Sequence, residues 1–224
     1  MIQTLALLLT SSLAMSTMPA TVVLPQLAGT RIPGGCDVPA SRRTAETGCY
    51  LVATMALGTL PSTPVYWHLY RYPTRADAEA AKAMTGTVVD SLGHIWVYTI
   101  AGKDWRPIAG ERVAVLGPLP VSPGRQYTAR YMEAVFAPGM QTSVHRHSGV
   151  EAWYVLAGAQ CLETPDRIIV ARAGEGAVVP EGPPMALSGI GGDMRRSVLL
   201  VIHDSAQPWM TVTSDWTPQG RCPH

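Results

Sequence analysis

The sequence lacks concentrated charge of either sign. Its 17 basic residues are balanced by 16 acidic ones, for a formal charge of +1, and a single phenylalanine leaves little to interleave with a basic run. A nucleic-acid partner is therefore not expected, since phosphate binding needs a gathered positive face. No C-x-x-C pair occurs, which removes the usual zinc-ribbon and dithiol motifs. There is also no H-E-x-x-H, no glycine-rich phosphate loop and no nucleophile elbow, so zincin proteolysis, nucleotide hydrolysis and elbow-type serine hydrolysis have no support. His203 and Asp204 precede Ser205, but adjacent residues on a strand face opposite ways and make no triad. No second long apolar run follows the N-terminal one, so no membrane contact is expected beyond a possible N-terminal anchor.

Charge is absent altogether from residues 1–30, where Leu5 to Leu9 form a short apolar stretch followed by small residues. This predicts an export signal over about residues 1–20, with cleavage after Ser16 or Ala20, and a periplasmic or secreted protein. The basic start typical of such signals is missing, the first charged residue being Arg31. An uncleaved anchor is the next reading, although Gln3, Pro19 and Pro25 dilute the run below the usual ~20 apolar residues. A true start at Met15 or Met18 would instead make the protein cytoplasmic. The cysteines, Cys36, Cys49, Cys161 and Cys222, all lie beyond the signal, and an even count in an exported chain permits two disulfides in three connectivities. Cys36 with Cys49 and Cys161 with Cys222 is the first expectation; buried free thiols are the alternative.

What the chain has in quantity is turn formers. Twenty-one glycines and 19 prolines, spread rather than clustered, suit short strands joined by tight turns, and the chain reads as mainly β. In the first half, residues 36–121, alternation predicts strands over 65–72, 87–92, 95–100 and 112–116. One helix is predicted over Arg75 to Met84, with Thr74 as N-cap, Asp77 three residues on, and Gly86 as its stop. The proline-rich stretch 117–124 reads as a linker. The second half, residues 127–204, predicts strands over 127–137, 151–157, 167–171, 177–179, 185–188 and 195–203, the rhythm of a sandwich or closed barrel. Residues 205–224 form a tail.

The chemistry concentrates in the run from Gly139 to Gly158. His145 and His147 are two apart, so on a strand both imidazoles project from one face. Glu151 follows a Ser-Gly turn and a valine, which can return its carboxylate to the same point. Two neutral imidazoles and a carboxylate suit one divalent ion of Fe, Mn, Cu, Ni or Zn, and nothing in the sequence separates these.

The spacing of Gly139, His145, His147, Glu151 and Gly158 resembles the first motif of the cupin superfamily, with no gap. The second motif is matched by Gly174, Pro180 and Gly182, but its histidine position holds Met185 and its closing asparagine position holds Gly189. The resemblance covers the C-terminal half and implies a cupin β-barrel, a double-stranded β-helix of jelly-roll type, with one metal ion held inside by His145, His147 and Glu151. The first half shows neither motif; it is either a divergent second barrel or strands extending the first. Met185 either adds a soft thioether ligand or walls the pocket, leaving two histidines and one carboxylate with open positions.

Trp153 and Val155 share the face of Glu151 by the period of two and are expected to line the cavity, with Tyr154 pointing away. Glu133 and His203 are candidates to orient a ligand or touch a substrate, and strand parity leaves their direction open. The resemblance implies a small-molecule ligand or substrate, with dioxygenase or isomerase chemistry if the protein is an enzyme. A non-catalytic binding or sensing module of the cell envelope is the alternative, and a vestigial barrel a third. Homodimers are common among cupins, though no residue here requires one.

Overall fold

The computed structural model describes Ile32 and residues 35–223, so the signal-like segment at 1–20 lies outside the described residues. Alternating side chains extend the first half into β1 (Gly48–Thr59), β2 (Val65–Tyr72), β3 (Gly86–Ser91), β4 (His94–Ala101) and β5 (Glu111–Leu119). Helix α1 (Arg75–Ala81) starts where predicted, the Thr74 hydroxyl accepting the Asp77 N–H at 3.1 Å. It stops at Ala81 rather than Met84: Lys82 turns extended, and Met84, fully exposed, has no apolar surface to hold a further turn.

The second half forms β6 (Gln126–Phe136), β7 (His145–His147), β8 (Gly149–Ala157), β9 (Ala159–Glu163), β10 (Ile168–Arg172), β11 (Gly176–Val179), β12 (Ala186–Ile190) and β13 (Arg195–Asp204), with β14 (Met210–Val212) in the tail. Four sheets result, with orders β3-β4-β2-β5, β1-β6-β13-β8-β11, β10-β9-β12 and β14-β7. The fold is mainly β as expected. The expected barrel is not closed by strand pairing: among the described residues each sheet starts and ends on an edge strand, with only isolated bridges such as His145 to Met185 crossing between sheets.

β1, from the first half, pairs antiparallel with β6 along its length and becomes an edge of the five-stranded sheet. Both faces of that sheet are apolar, so it divides two cores. On one face Tyr131, Ala152 and Leu200 meet Trp67, Trp96 and Tyr98 of the four-stranded sheet, the Tyr98 ring lying 5.3 Å from both Trp67 and Tyr131. On the other, Met132, Trp153, Val155, Leu199 and Val201 pack with Leu162, Met185 and Leu187. Each such large side chain, taken from water, contributes roughly 1.5–3 kcal/mol. The two disulfides are Cys36–Cys49 and Cys161–Cys222, the first tying the entering segment to β1 and the second tying the tail to β9.

Candidate metal centre

β7 is only three residues long and is held from both sides. Its His147 and His145 stand opposite Met210 and Val212 of β14, while His145 exchanges two backbone hydrogen bonds with Met185, at 2.9 and 3.1 Å. Arg146 points out, to the Gly182 carbonyl and to Asp215, and the flanking histidines point in. The turn to β8 is close because residue 149 is glycine. A Cβ there would lie 1.9 Å from the Ile202 carbonyl oxygen, so no other residue lets β8 lie against β13 at that point. Two residues on, Glu151 returns to the histidines.

All three side chains are buried, at 7, 5 and 4 % exposure for His145, His147 and Glu151. The imidazole rings lie 4.9 Å apart, centre to centre. Each ring's Nδ1 sits within hydrogen-bond distance of a carbonyl oxygen, Ser143 for His145 at 2.8 Å and Trp209 for His147 at 3.0 Å. A carbonyl can only accept, so Nδ1 carries the proton and the lone pair is left on Nε2, the nitrogen a metal takes. His147 Nε2 lies 3.7 Å from Glu151 Oε2, too far for a hydrogen bond, and that oxygen has no hydrogen-bond partner. The Trp209 ring stacks on His147 with centres 5.5 Å apart.

Burial keeps both rings neutral. It lowers the pKa of His145, and it takes His147 down to about 3, with the neighbouring His145 and His203 adding to the shift. Burial also pushes Glu151 up to about 7 against the opposing pull of Arg195. Neutral imidazoles with free Nε2 and an unpartnered carboxylate oxygen fit a divalent transition metal in donor type. Among the described residues no three His, Cys, Asp or Glu side chains converge as a ready-made site.

The three residues border a cavity of about 120 Å³, whose wall also includes Met132, Leu199 and the Cys36–Cys49 pair. Met185 does not line it; that residue meets His145 through the backbone and packs its side chain in the apolar core. Trp153 and Val155 share the Glu151 face but are fully buried in the same core, behind the cavity rather than on its wall. Tyr154 belongs to the opposite core, as alternation requires.

His203 lies on the cavity-side face of β13, two residues beyond Val201 and opposite Gly149, and its Nδ1 meets the Asp204 carbonyl at 2.8 Å. Glu133 is not brought to the site. It projects from the other face of the five-stranded sheet, where it accepts from the Ser91 hydroxyl at 2.7 Å and the Leu92 N–H at 3.0 Å and pairs with Arg43. Sequence reasoning missed Arg195, a wholly buried guanidinium in the cavity wall. Its signal was present: it starts the Arg195, Ser197, Leu199, Val201 alternation that faces the cavity.

No protein-family model and no curated protein matches this chain. Parts of it are similar to solved cupin structures. A cupin superfamily protein from Desulfitobacterium hafniense DCB-2 shares 19% identity at a TM-score of 0.32, over 38% of this chain and 74% of that one. An RmlC-like cupin family protein with a double-stranded β-helix fold from Methanocaldococcus jannaschii shares 18% at 0.31, over 32% and 67%. The DMSP lyase DddQ from Ruegeria pomeroyi DSS-3 shares 17% at 0.34, over 41% and 45%. At TM-scores this low the likeness carries nothing beyond the strand pattern itself.

Proposed function

We propose that this chain is an exported cupin-type protein that holds one divalent transition-metal ion through His145, His147 and Glu151 and acts on a small organic molecule, as a dioxygenase or an isomerase. The observation that supports it is the pair of Nδ1–carbonyl hydrogen bonds, which orient the Nε2 lone pairs of two buried rings beside an unpartnered carboxylate oxygen. When bound, the ion supplies a Lewis acid or an oxygen-activating centre. The chain's own contribution is to fix the two rings, exclude water with the surrounding apolar wall, and leave positions open where Met185 does not reach. Export is supported by the two disulfides, which persist in oxidising compartments. Among the described residues no helix is long and apolar enough to cross a membrane.

Metal analysis tests the reading. After reconstitution with Fe, Mn, Cu, Ni or Zn, the wild type retains about one equivalent of at least one metal and His145→Ala retains far less. Equal, negligible content in both removes the proposal.

One observation favours a second reading, a non-catalytic binding module. With Glu133 on the far face, His203 is the remaining proton-transfer candidate among those the sequence named. Oxygen consumption by the Fe(II)-loaded protein over phenols, diketones and amino-acid derivatives separates the two: saturable binding without turnover supports the module.

A further inference from the structure

Arg195 is wholly buried, yet only part of its donor set is used. One terminal nitrogen donates to the Ser197 hydroxyl at 2.7 Å, while Nε and the other terminal nitrogen have no hydrogen-bond partner. The guanidinium lies 4.1 Å over the Phe136 ring, which fixes its plane. It also forms part of the wall of the cavity that His145, His147 and Glu151 border. A buried cation with unpaired donors is costly unless an anion completes it. Glu151 is the acidic group that acts on it through space, and no hydrogen bond joins the two. A carboxylate engaged with a metal ion is less available to balance a second cation.

We propose that the cavity selects a small organic anion, its carboxylate received by the free donors of Arg195 beside the metal ligands. Two adjacent guanidinium N–H groups match a planar carboxylate in bidentate fashion, which an ammonium does not. The cavity, at about 120 Å³, has room for a short acid, since a cavity of roughly 150 Å³ takes a benzene ring. The inference rests on the proposed metal-binding cavity for its setting, but its recognition element is Arg195.

Isobutyrate and isobutyramide, alike in shape and different in charge, provide the test by calorimetric titration of the full chain at pH 7.5, both metal-loaded and stripped with EDTA. The wild type should bind the acid at least tenfold more tightly than the amide, with EDTA as well as without. Arg195→Met should abolish that preference while keeping its metal content, and Arg195→Lys should retain part of it. Absence of the preference in wild type overturns the inference without reference to any variant. A preference confined to the metal-loaded protein and surviving in Arg195→Met assigns the anion to the ion, which overturns the inference and leaves the metal reading standing. An Arg195-dependent preference in a chain that retains no metal supports the inference and removes the metal reading.

Discussion

The Nε2 of His147 and Oε2 of Glu151 face each other at 3.7 Å in a buried space, with neither atom satisfied by a hydrogen bond to the other. They are four positions apart in sequence, and the glycine at 149 makes the short return feasible. Both atoms are electron-pair donors, so they do not satisfy one another, and on the function proposed above a divalent ion would accept from both.

Trp209 holds His147 twice, by its ring and by its carbonyl, and is itself fixed by Arg130 at 4.6 Å over the indole. In Trp209→Ala the carbonyl remains but the stacked ring is lost, so His147 is oriented less well. Metal affinity should fall about tenfold, the lower end for loss of a group supporting a ligand. Competition with a chromophoric chelator measures it.

Glu133 is a buried carboxylate serving Ser91, Leu92 and Arg43, all of the first half. Glu133→Ala orphans the Leu92 N–H and the Ser91 hydroxyl and should cost about 2–4 kcal/mol in urea unfolding. Bound metal per chain should be unchanged. A fall in metal content at preserved folding would place this residue in the site after all.

The two disulfides close loops of different length, with sequence separations of 13 and 61. If restriction of the unfolded chain dominates, replacing Cys161 and Cys222 by serine costs about 1 kcal/mol more than replacing Cys36 and Cys49. Urea midpoints of the two double variants test the order.

His68 is fully buried, and burial lowers its pKa below the ordinary 6.5; its Nε2 lies 3.0 Å from the Gly102 carbonyl. The folded chain therefore leaves this ring neutral where the unfolded chain takes up a proton. Stability contributed by the neutral ring is full above about pH 6.5 and declines as pH falls below it. His68→Gln, which cannot titrate, should show a shallower loss of Tm between pH 6.5 and 5 than the wild type. Parallel curves would refute the assignment.

Much of the site was legible because its signals are local. The period of two put His145 and His147 on one face, and the same alternation separated Trp153 from Tyr154. β2 and the Thr74 cap also follow from neighbouring residues alone. Glu133 was a candidate whose direction stayed open, and Arg195 was not named, because the five-stranded sheet is apolar on both faces: in β6 and β13 alternation does not say which side is the cavity until register is known. β7 and β14, three residues each, exist through pairing with distant segments rather than through any pattern of their own. Met185 reached the neighbourhood its motif position implies, but by its backbone.

Because Gly48–Thr59 completes the sheet that carries Glu151 and Arg195, the halves are interdependent in assembly. Severing the chain between residues 121 and 127 would bare the Gln126–Phe136 edge in one fragment and strand its missing neighbour in the other. Such fragments should reconstitute when mixed and aggregate when kept apart, behaviour expected of complementing pieces and foreign to autonomous modules.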